Sequence, residues 1–577
     1  MLKVQGWSID YPRSHNGPHG TDTQTNRNYT LEEDLKLGHK NILFIMCDQL
    51  RFDYLGCSGH PTIKTPNIDG LAARGVRFSN AYCQSPICGP SRMSTYTGRY
   101  VSSHGASSNF APLRIGEKNI GHHLNPLGVR TVLVGKTHII GDKEGMDRLG
   151  IDPGGAVGVH HSQAGFEAFE RDDGIHPDTM VRPDLAYNNY LKTKGYAEDE
   201  NPWHWTANSV DTGEEVRSGF FNDQVDLPAR VSDEDSETPY MTRRAMEFLA
   251  NDKGETPWLL HLSYIKPHWP YVAPTPYNDM YSADDVLPVV RSDAELTATN
   301  PLFKHFMDRV SGKTFSNEAA REKVIPVYMG LITQIDDQLG ILFEFMRERE
   351  MLENTMIVFT SDHGDYLGDH WMGDKDYFHD PAVKIPLIIV DPSKSADCTR
   401  GTVDDSLVES IDLIPTFIEY QGGKVAQHIL DGRSLLAKIH GEECKWRDYV
   451  ISEYDYSCQV FRPETGKMPL DCRSYMIATE KWKYVHAPGY PPLLFDLVND
   501  PEELTDLGRS SDHVNVRQSL FKMLAEWALQ YRQRETWSEE QNIKMTGIEE
   551  KLGVLIGYWN EKDAKGKDPK ILPKRVL

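Results

Sequence analysis

Cys88 lies in the stretch SPICGPSRMSTYTGR, residues 85–99, directly ahead of Gly-Pro-Ser-Arg. Pro90 suits the first turn of a helix, and MSTY continues it. The spacing predicts a thiol at a helix N-terminus, where free backbone N–H groups favour negative charge and Arg92, one turn on, adds a cation. That is a setting for a nucleophile. The chain has eight cysteines, at 47, 57, 83, 88, 398, 444, 458 and 472, with irregular spacing and no Cys-x-x-Cys pair. They read as free thiols rather than as a disulfide framework or a zinc site, and Cys47 and Cys83 read as buried and inert. A second set of reactive types ends two apolar runs: Asp48-Gln49 follows ILFIMC, and Asp362-His363-Gly364-Asp365 follows MIVFTS. One aspartate at a strand end commonly caps the next loop. Two at equivalent places, with an imidazole, suit a shared divalent cation such as Mn²⁺, Ca²⁺ or Mg²⁺.

The elements that must position these groups alternate along the chain. NILFIMCD is a buried strand, and TPNIDGLAARG is a helix with Thr65 as N-cap, Pro66 at its first position and Gly75 as its stop. VRFSNAYC, RTVLVG, PWLLHLSY, TMIVFTSD and IPLIIVD read as strands; NIGHHLNPLG, TRRAMEFLAND and a long stretch within EKVIPVYMGLITQIDDQLGILFEFMRERE read as helices. Apolar strands alternating with amphipathic helices predict an α/β fold with a mainly parallel sheet flanked by helices, and ligands in such sheets bind beyond the carboxyl ends of the strands. From about 145 to 240 the pattern dissolves into Gly-, Pro-, Asp- and His-rich text, read as an insertion over the sheet edge. YVISEY, SYMIATEKWKYVHA and PLLFDLVNDP, closed by VRQSLFKMLAEWALQYRQRE, predict a smaller C-terminal α+β subdomain. The expected division is an arm at 1–39, a catalytic α/β domain at 40–440, the α+β subdomain at 441–535 and a tail at 536–577.

The 577 residues carry 62 basic and 85 acidic side chains, a formal charge of −23. That balance excludes a nucleic-acid backbone as partner, which needs clustered Lys and Arg. The first twenty residues lack the basic start and apolar run of a secretory leader, and nowhere do eighteen apolar residues occur together; a soluble cytoplasmic protein with no membrane partner is expected. The arm and the tail KDAKGKDPKILPKRVL are suited to wrap a neighbour, so a homo-oligomer is expected.

CGPSRMSTYTG resembles the Cys-x-Pro-Ser-Arg signature of sulfatases, and GVRTVLVGKTH, residues 128–138, resembles their second signature. The similarity to the sulfatase branch of the alkaline phosphatase superfamily runs from about residue 40 to about 510 and includes TPNIDGLAARGVRFSNAY, ITQIDDQLG, DGRSLL and LFDLVNDPEELTDL. It implies an alkaline-phosphatase-like fold. It also implies that a formylglycine-generating enzyme oxidises Cys88 to formylglycine, whose hydrated aldehyde attacks a small-molecule sulfate ester. Carried over by position, one divalent metal would be held by Asp48, Gln49, Asp362, His363 and an oxygen on modified Cys88. Mn²⁺ is favoured over Ca²⁺ because two carboxylates and an imidazole form a softer set than calcium prefers. Arg92 would stabilise the hydrated nucleophile and Asn109 would orient the substrate oxyanion. Lys136 and His138 follow the second signature's strand; His138 would take the adduct's proton. His268, in IKPHWPY, and Lys375, in GDKDYF, would contact the transferred group and the leaving oxygen. His122-His123 and His160-His161 match nothing and read as loop or surface residues.

The resemblance has departures. Thr95, Tyr96 and Thr137 replace apolar or aromatic residues of the two signatures. Gln49 and His363 stand where many sulfatases have Asp and Asn, and are shared instead with phosphonate monoester hydrolases, whereas Lys136 and His138 side with sulfatases. The expected activity is therefore a metal-dependent sulfuric ester hydrolase acting on aryl or alkyl sulfates. The alternatives are a phosphonate monoester hydrolase or phosphodiesterase on the same scaffold, and a silent binding module.

Overall fold

The computed structural model describes residues 40–179, 185–196, 200–211, 213, 215–297, 300–530, 536–552 and 559. The expected arm, and the stretch KDAKGKDPKILPKRVL of the expected tail, lie outside the described residues.

β1 (Asn41–Asp48) is the apolar run expected of a central strand. Ile42, Phe44 and Met46 enter one apolar cluster, and Leu43, Ile45 and Cys47 enter another, so the strand is covered on both faces. Seven further strands join it: β2 (Val76–Tyr82), β3 (Arg130–Gly135), β4 (Glu167–Arg171), β5 (Trp258–Pro267), β6 (Thr355–Ser361), β7 (Lys384–Val390) and β8 (Thr402–Glu409). Their order is β8-β2-β7-β6-β1-β5-β3-β4. All neighbours are parallel except those of β7, which runs antiparallel to β6 and β2. A parallel return needs a crossover to the opposite end of the sheet. The β6–β7 connection, residues 362–383, makes none: it loops out and back at the carboxyl end of β6, and so brings several polar side chains to that end. β4 falls within the stretch read as an insertion, so part of that stretch is sheet edge.

The helices that matter here are α1 (Pro66–Arg74), α2 (Cys88–Thr97), α3 (Glu237–Asn251), α4 (Glu318–Glu348) and α5 (Leu413–Tyr420). Buried residues of α1, α3 and α4 share one cluster; those of α2 and α5 share the other. α1 begins at Pro66 as expected, but Thr65 does not cap it. The Thr65 hydroxyl turns back to Gly56 and Asp69, and Asp336 of α4 accepts from the N–H groups of Asn67 and Ile68 at 3.1 and 2.8 Å. A cap supplied by a distant element ties two helices together while satisfying orphan donors.

The C-terminal part forms a four-stranded antiparallel sheet, β9 (Val450–Asp455), β10 (Arg473–Ala478), β11 (Trp482–His486) and β12 (Leu493–Asp496), paired in chain order. Helix α6 (Val514–Leu529) lays Leu520, Leu524 and Trp527 on Ile451, Ile477, Tyr484 and Leu494. This is the expected α+β unit. Among the described residues, no helix is long and apolar enough to cross a membrane.

Candidate active site

Register brings the two acidic strand ends together. Cys47 of β1 pairs with Ser361 of β6, so the next residues, Asp48 and Asp362, emerge side by side beyond the sheet, both buried. The chain then turns sharply: Gln49 has φ 65°, a left-handed conformation rarely taken by a side-chain-bearing residue, and its N–H donates to Asp362 Oδ1 at 3.0 Å.

Cys88 is the first residue of α2 itself, not the residue before it, and is buried. Its Sγ lies 3.1 Å from His363 Nε2, 3.3 Å from Lys375 Nζ and 3.7 Å from Asp48 Oδ1. Burial alone would raise its pKa. Lys375, Lys136 and His363 outweigh that, His138 contributes, and the thiol is held well below its ordinary value. Cys47 and Cys83 lie in apolar cover that pushes their thiols up, as an inert cysteine requires. All eight cysteines are free.

Arg92 is wholly buried and bridges the acids: Nε donates to Asp362 Oδ2 at 2.7 Å and Nη2 to Asp48 Oδ2 at 3.1 Å. Nη1 is held by Ser263 Oγ and the Lys136 carbonyl at 2.8 and 3.0 Å. Two of its nitrogens thus hold the carboxylates beside Cys88, and the third is anchored on β5 and the end of β3. Lys136 Nζ shares Asp48 Oδ2, at 2.6 Å. Asp48 Oδ1 lies 3.7 Å from Cys88 Sγ, and Asp362 Oδ1, which accepts from the N–H groups of Gln49 and His363 at 3.0 Å each, lies 3.7 Å from His363 Nε2. Ligand atoms of Asp48, Cys88, Asp362 and His363 all lie within 4.8 Å of one another. Two carboxylates and an imidazole whose Nδ1 is fixed on the Gly364 carbonyl at 2.9 Å form a donor set that fits a divalent cation. Gln49 joins this site through its neighbours: Oε1 accepts from Lys375 Nζ at 2.8 Å, while Nε2 donates to Asp365 at 2.6 Å and Asp374 at 3.1 Å.

Lys375 Nζ also meets His268 Nε2 at 2.9 Å, and His268 Nε2 is 3.9 Å from Asp48 Oδ1. Burial opposes charge on Lys375, but Cys88, Asp374 and Asp48 push its pKa above the usual lysine range. The neighbouring acids do not claim it: Asp376 is taken by Arg309 and by Tyr454 OH at 2.7 Å, and Asp374 stands 3.9 Å away. Asn109 Oδ1 accepts from Gly89 N–H at 2.8 Å and so caps α2 from outside. A Cβ on Gly89 would meet Asn109 Cα at 3.1 Å, which accounts for glycine there. His138 has φ 55°. Its N–H and that of Thr137 are both held by Asp173 Oδ1, at 2.9 and 3.0 Å.

Several of these partners are not in the sequence reading. Asp173 follows strand β4 in FERDD, the same strand-end signal as Asp48, but lies in text read as insertion. Tyr271 OH holds Asp365 at 2.6 Å and carries no sequence signal, while Ser91, the serine of the Cys-x-Pro-Ser-Arg stretch, bonds the Asp362 carbonyl through Oγ at 2.5 Å. The three departures from the signatures all find polar partners. Thr95 Oγ1 bonds Ser410 Oγ at 3.1 Å, Tyr96 OH meets His261 Nε2 at 2.9 Å, and Thr137 Oγ1 lies 3.3 Å from Asp173. Of the unmatched histidines, His161 is buried with Nε2 on the Leu113 carbonyl at 2.8 Å, and His122 and His160 contact each other edge to face at 4.7 Å; none reaches Cys88.

Residues 40–423 match the family model described as Sulfatase, and residues 368–530 match that of the N-sulphoglucosamine sulphohydrolase C-terminal region. The chain is 32% identical over 520 residues to the multifunctional alkaline phosphatase superfamily protein PehA of Trinickia caryophylli, covering 86% of this chain and 96% of that one. It is 27% identical to an arylsulfatase of Clostridium perfringens, over 82% and 91% of the two chains. Among solved structures, the phosphonate monoester hydrolase of Agrobacterium radiobacter superposes with a TM-score of 0.74 at 28% identity, over 85% of this chain and 95% of that one.

Proposed function

We propose, from the premise that the chain belongs to the sulfatase family, that it hydrolyses sulfate esters at Cys88, with Asp48, Gln49, Asp362 and His363 holding one divalent ion. The observation that carries this reading is the position of Cys88 Sγ, within 3.7 Å of an imidazole, an ammonium and a carboxylate at the start of a helix. Bound there, the ion would supply positive charge to the developing oxyanion, and formylglycine at position 88 would supply one hydroxyl to attack and a second whose deprotonation releases sulfate.

The chain's own residues do the rest. Arg92 fixes both carboxylates beside residue 88 by holding their Oδ2 atoms. Lys375 and His268 form a cationic, hydrogen-bonding pair on one side of residue 88, suited to the leaving oxygen. Lys136 offsets the Asp48 charge, and His138, on a loop locked by Asp173, takes the proton of the second hydroxyl. Asn109 keeps its Oδ1 on Gly89, and its Nδ2, with no partner among the described residues, turns to the substrate oxyanion. The same reading has residues 40–440 as catalytic domain and 441–535 as α+β subdomain. It includes Mn²⁺ as the ion, modification by a formylglycine-generating enzyme, a cytoplasmic location and self-association. Peptide mass spectrometry of residue 88, with activity followed against the aldehyde fraction, tests it; full activity from the thiol alone refutes it.

A second reading has one specific support. The solved phosphonate monoester hydrolase of Agrobacterium radiobacter is matched across 95% of its own length, and the resemblance read from the sequence gives Gln49 and His363 as residue types of that group. Matched aryl sulfate, phosphonate monoester and phosphate diester rates decide between them: kcat/KM highest on the phosphonate overturns the sulfatase reading.

A further inference from the structure

On the side of His268 and Lys375 the site opens into a cavity of about 570 Å³, within the range of small-molecule pockets. Three segments wall it: Phe220 and Phe221 ahead of α3, Trp269 and Tyr271 after β5, and Val310 with Phe315 on the short helix Val310–Phe315. Rings follow one another towards the nucleophile. Trp203 lies 5.9 Å from Phe220 and Phe220 lies 5.2 Å from Trp269, whose carbonyl accepts from His268 Nδ1 at 2.5 Å. Phe220, Phe221 and Val310 are 48%, 68% and 83% exposed, an apolar cluster that a soluble surface does not normally display without a use.

The charges on this wall are already answered. Asp374 accepts from Gln49 and faces Arg309 at 3.6 Å, and Lys375 is committed to Gln49, His268 and Cys88. A second anionic group on a substrate would lose its water against aromatic faces with no cation to meet it, whereas a flat apolar group would stack. A compact cation would find rings but no uncommitted carboxylate.

We propose that this cavity receives the organic half of the ester and selects an uncharged aromatic group over a quaternary ammonium. The proposal rests on Cys88 as the seat of the nucleophile. The test compares kcat/KM of the formylglycine-bearing enzyme on nitrophenyl sulfate, choline sulfate and a hexose 6-sulfate, in wild type, Phe220→Ala and Val310→Asp, and separately measures nitrophenol binding by calorimetry. Wild type should prefer the aryl ester to the choline ester. Loss of one ring contact should lower its kcat/KM about fivefold to tenfold, through KM, in Phe220→Ala. The other two esters should stay within about twofold, and nitrophenol affinity should fall in parallel. Val310→Asp should lower aryl turnover and raise choline sulfate turnover, because it adds the carboxylate the wall lacks. Preference of wild type for the choline ester, or an equal loss on all three esters in Phe220→Ala, overturns the proposal. Phe220-dependent nitrophenol binding without turnover of any ester would instead leave the cavity assignment standing and refute the reaction.

Discussion

Replacing Arg92 by methionine removes the one guanidinium that touches both acids. It leaves Asp362 Oδ2 without its 2.7 Å partner and Asp48 Oδ2 with Lys136 alone, both carboxylates being buried. Each charge-assisted hydrogen bond is worth about 1.5–3 kcal/mol, so the two together come to about 3–6 kcal/mol. Breaking a buried ion pair by deleting one partner costs about 3–5 kcal/mol, and the two routes agree. The expected loss is therefore about 4 kcal/mol of folding stability in chelator-treated protein. A divalent ion held by Asp48 and Asp362, as proposed, would offset the same charges, so Mn²⁺ should restore more stability to Arg92→Met than it adds to wild type, through ordinary binding linkage. Arg92→Lys, able to reach one acid, should fall between them. Urea unfolding followed by tryptophan fluorescence, with chelator and across a Mn²⁺ series, measures all three. A methionine variant within about 1 kcal/mol of wild type in chelator, or one indifferent to Mn²⁺, refutes the bridging role.

Three further outcomes follow from the geometry. Burial disfavours charge on His363, but Asp362 and the Cys88 thiolate outweigh it and push the imidazole up to about 9. In unmodified protein, metal must then displace a proton below that pH, so affinity should rise from pH 6 to 9 with net proton release in paired-buffer calorimetry, and a flat profile would exclude His363 as ligand. Glu237, at the start of α3, is raised by burial to about 7 despite Lys266. The folded state therefore holds a proton that the unfolded chain releases from its ordinary value near 4.5 upward, and stability should decline with rising pH between about 4.5 and 7. Glu237→Gln should flatten that decline and stabilise the protein at pH 8; unchanged pH dependence of the melting temperature would contradict it. Lys136→Ala and His138→Ala should each slow sulfate ester cleavage by about 10²-fold or more, and phosphonate cleavage less; equal small losses in kcat/KM on both would remove their assigned roles.

What was legible in the sequence is what local pattern encodes. Apolar runs of strand length marked β1, β3, β5 and β6 because strands buried on both faces have nowhere to place polar residues. Asp48 and Asp362 were visible as candidates because ligands collect where such runs end. The N-terminal position of Cys88 on a helix followed from Gly-Pro-Ser-Arg beside it, although the helix begins at the cysteine itself. The family resemblance brought Lys136, His138, His268 and Lys375 into consideration, and the fold places all four at one end of the sheet.

Only the tertiary structure decided who touches whom. Asp48 and Asp362 are separated by more than three hundred residues and meet because β1 pairs with β6, a register no local signal specifies. Arg92 was legible as a cation one turn from Cys88, but that its guanidinium spans Asp48 and Asp362 is set by the packing of the strand ends. β7 reads like any other buried strand, and its reversed direction follows from a connection that stays at one end of the sheet. Asp173, Tyr271 and Asp336 act on segments far from them in sequence, holding a loop, the partner of a glutamine and a helix start. Propensity and periodicity are properties of neighbours along the chain. The energies that orient a buried carboxylate are set by whichever cation and N–H groups the packing of the whole sheet brings within about 3 Å.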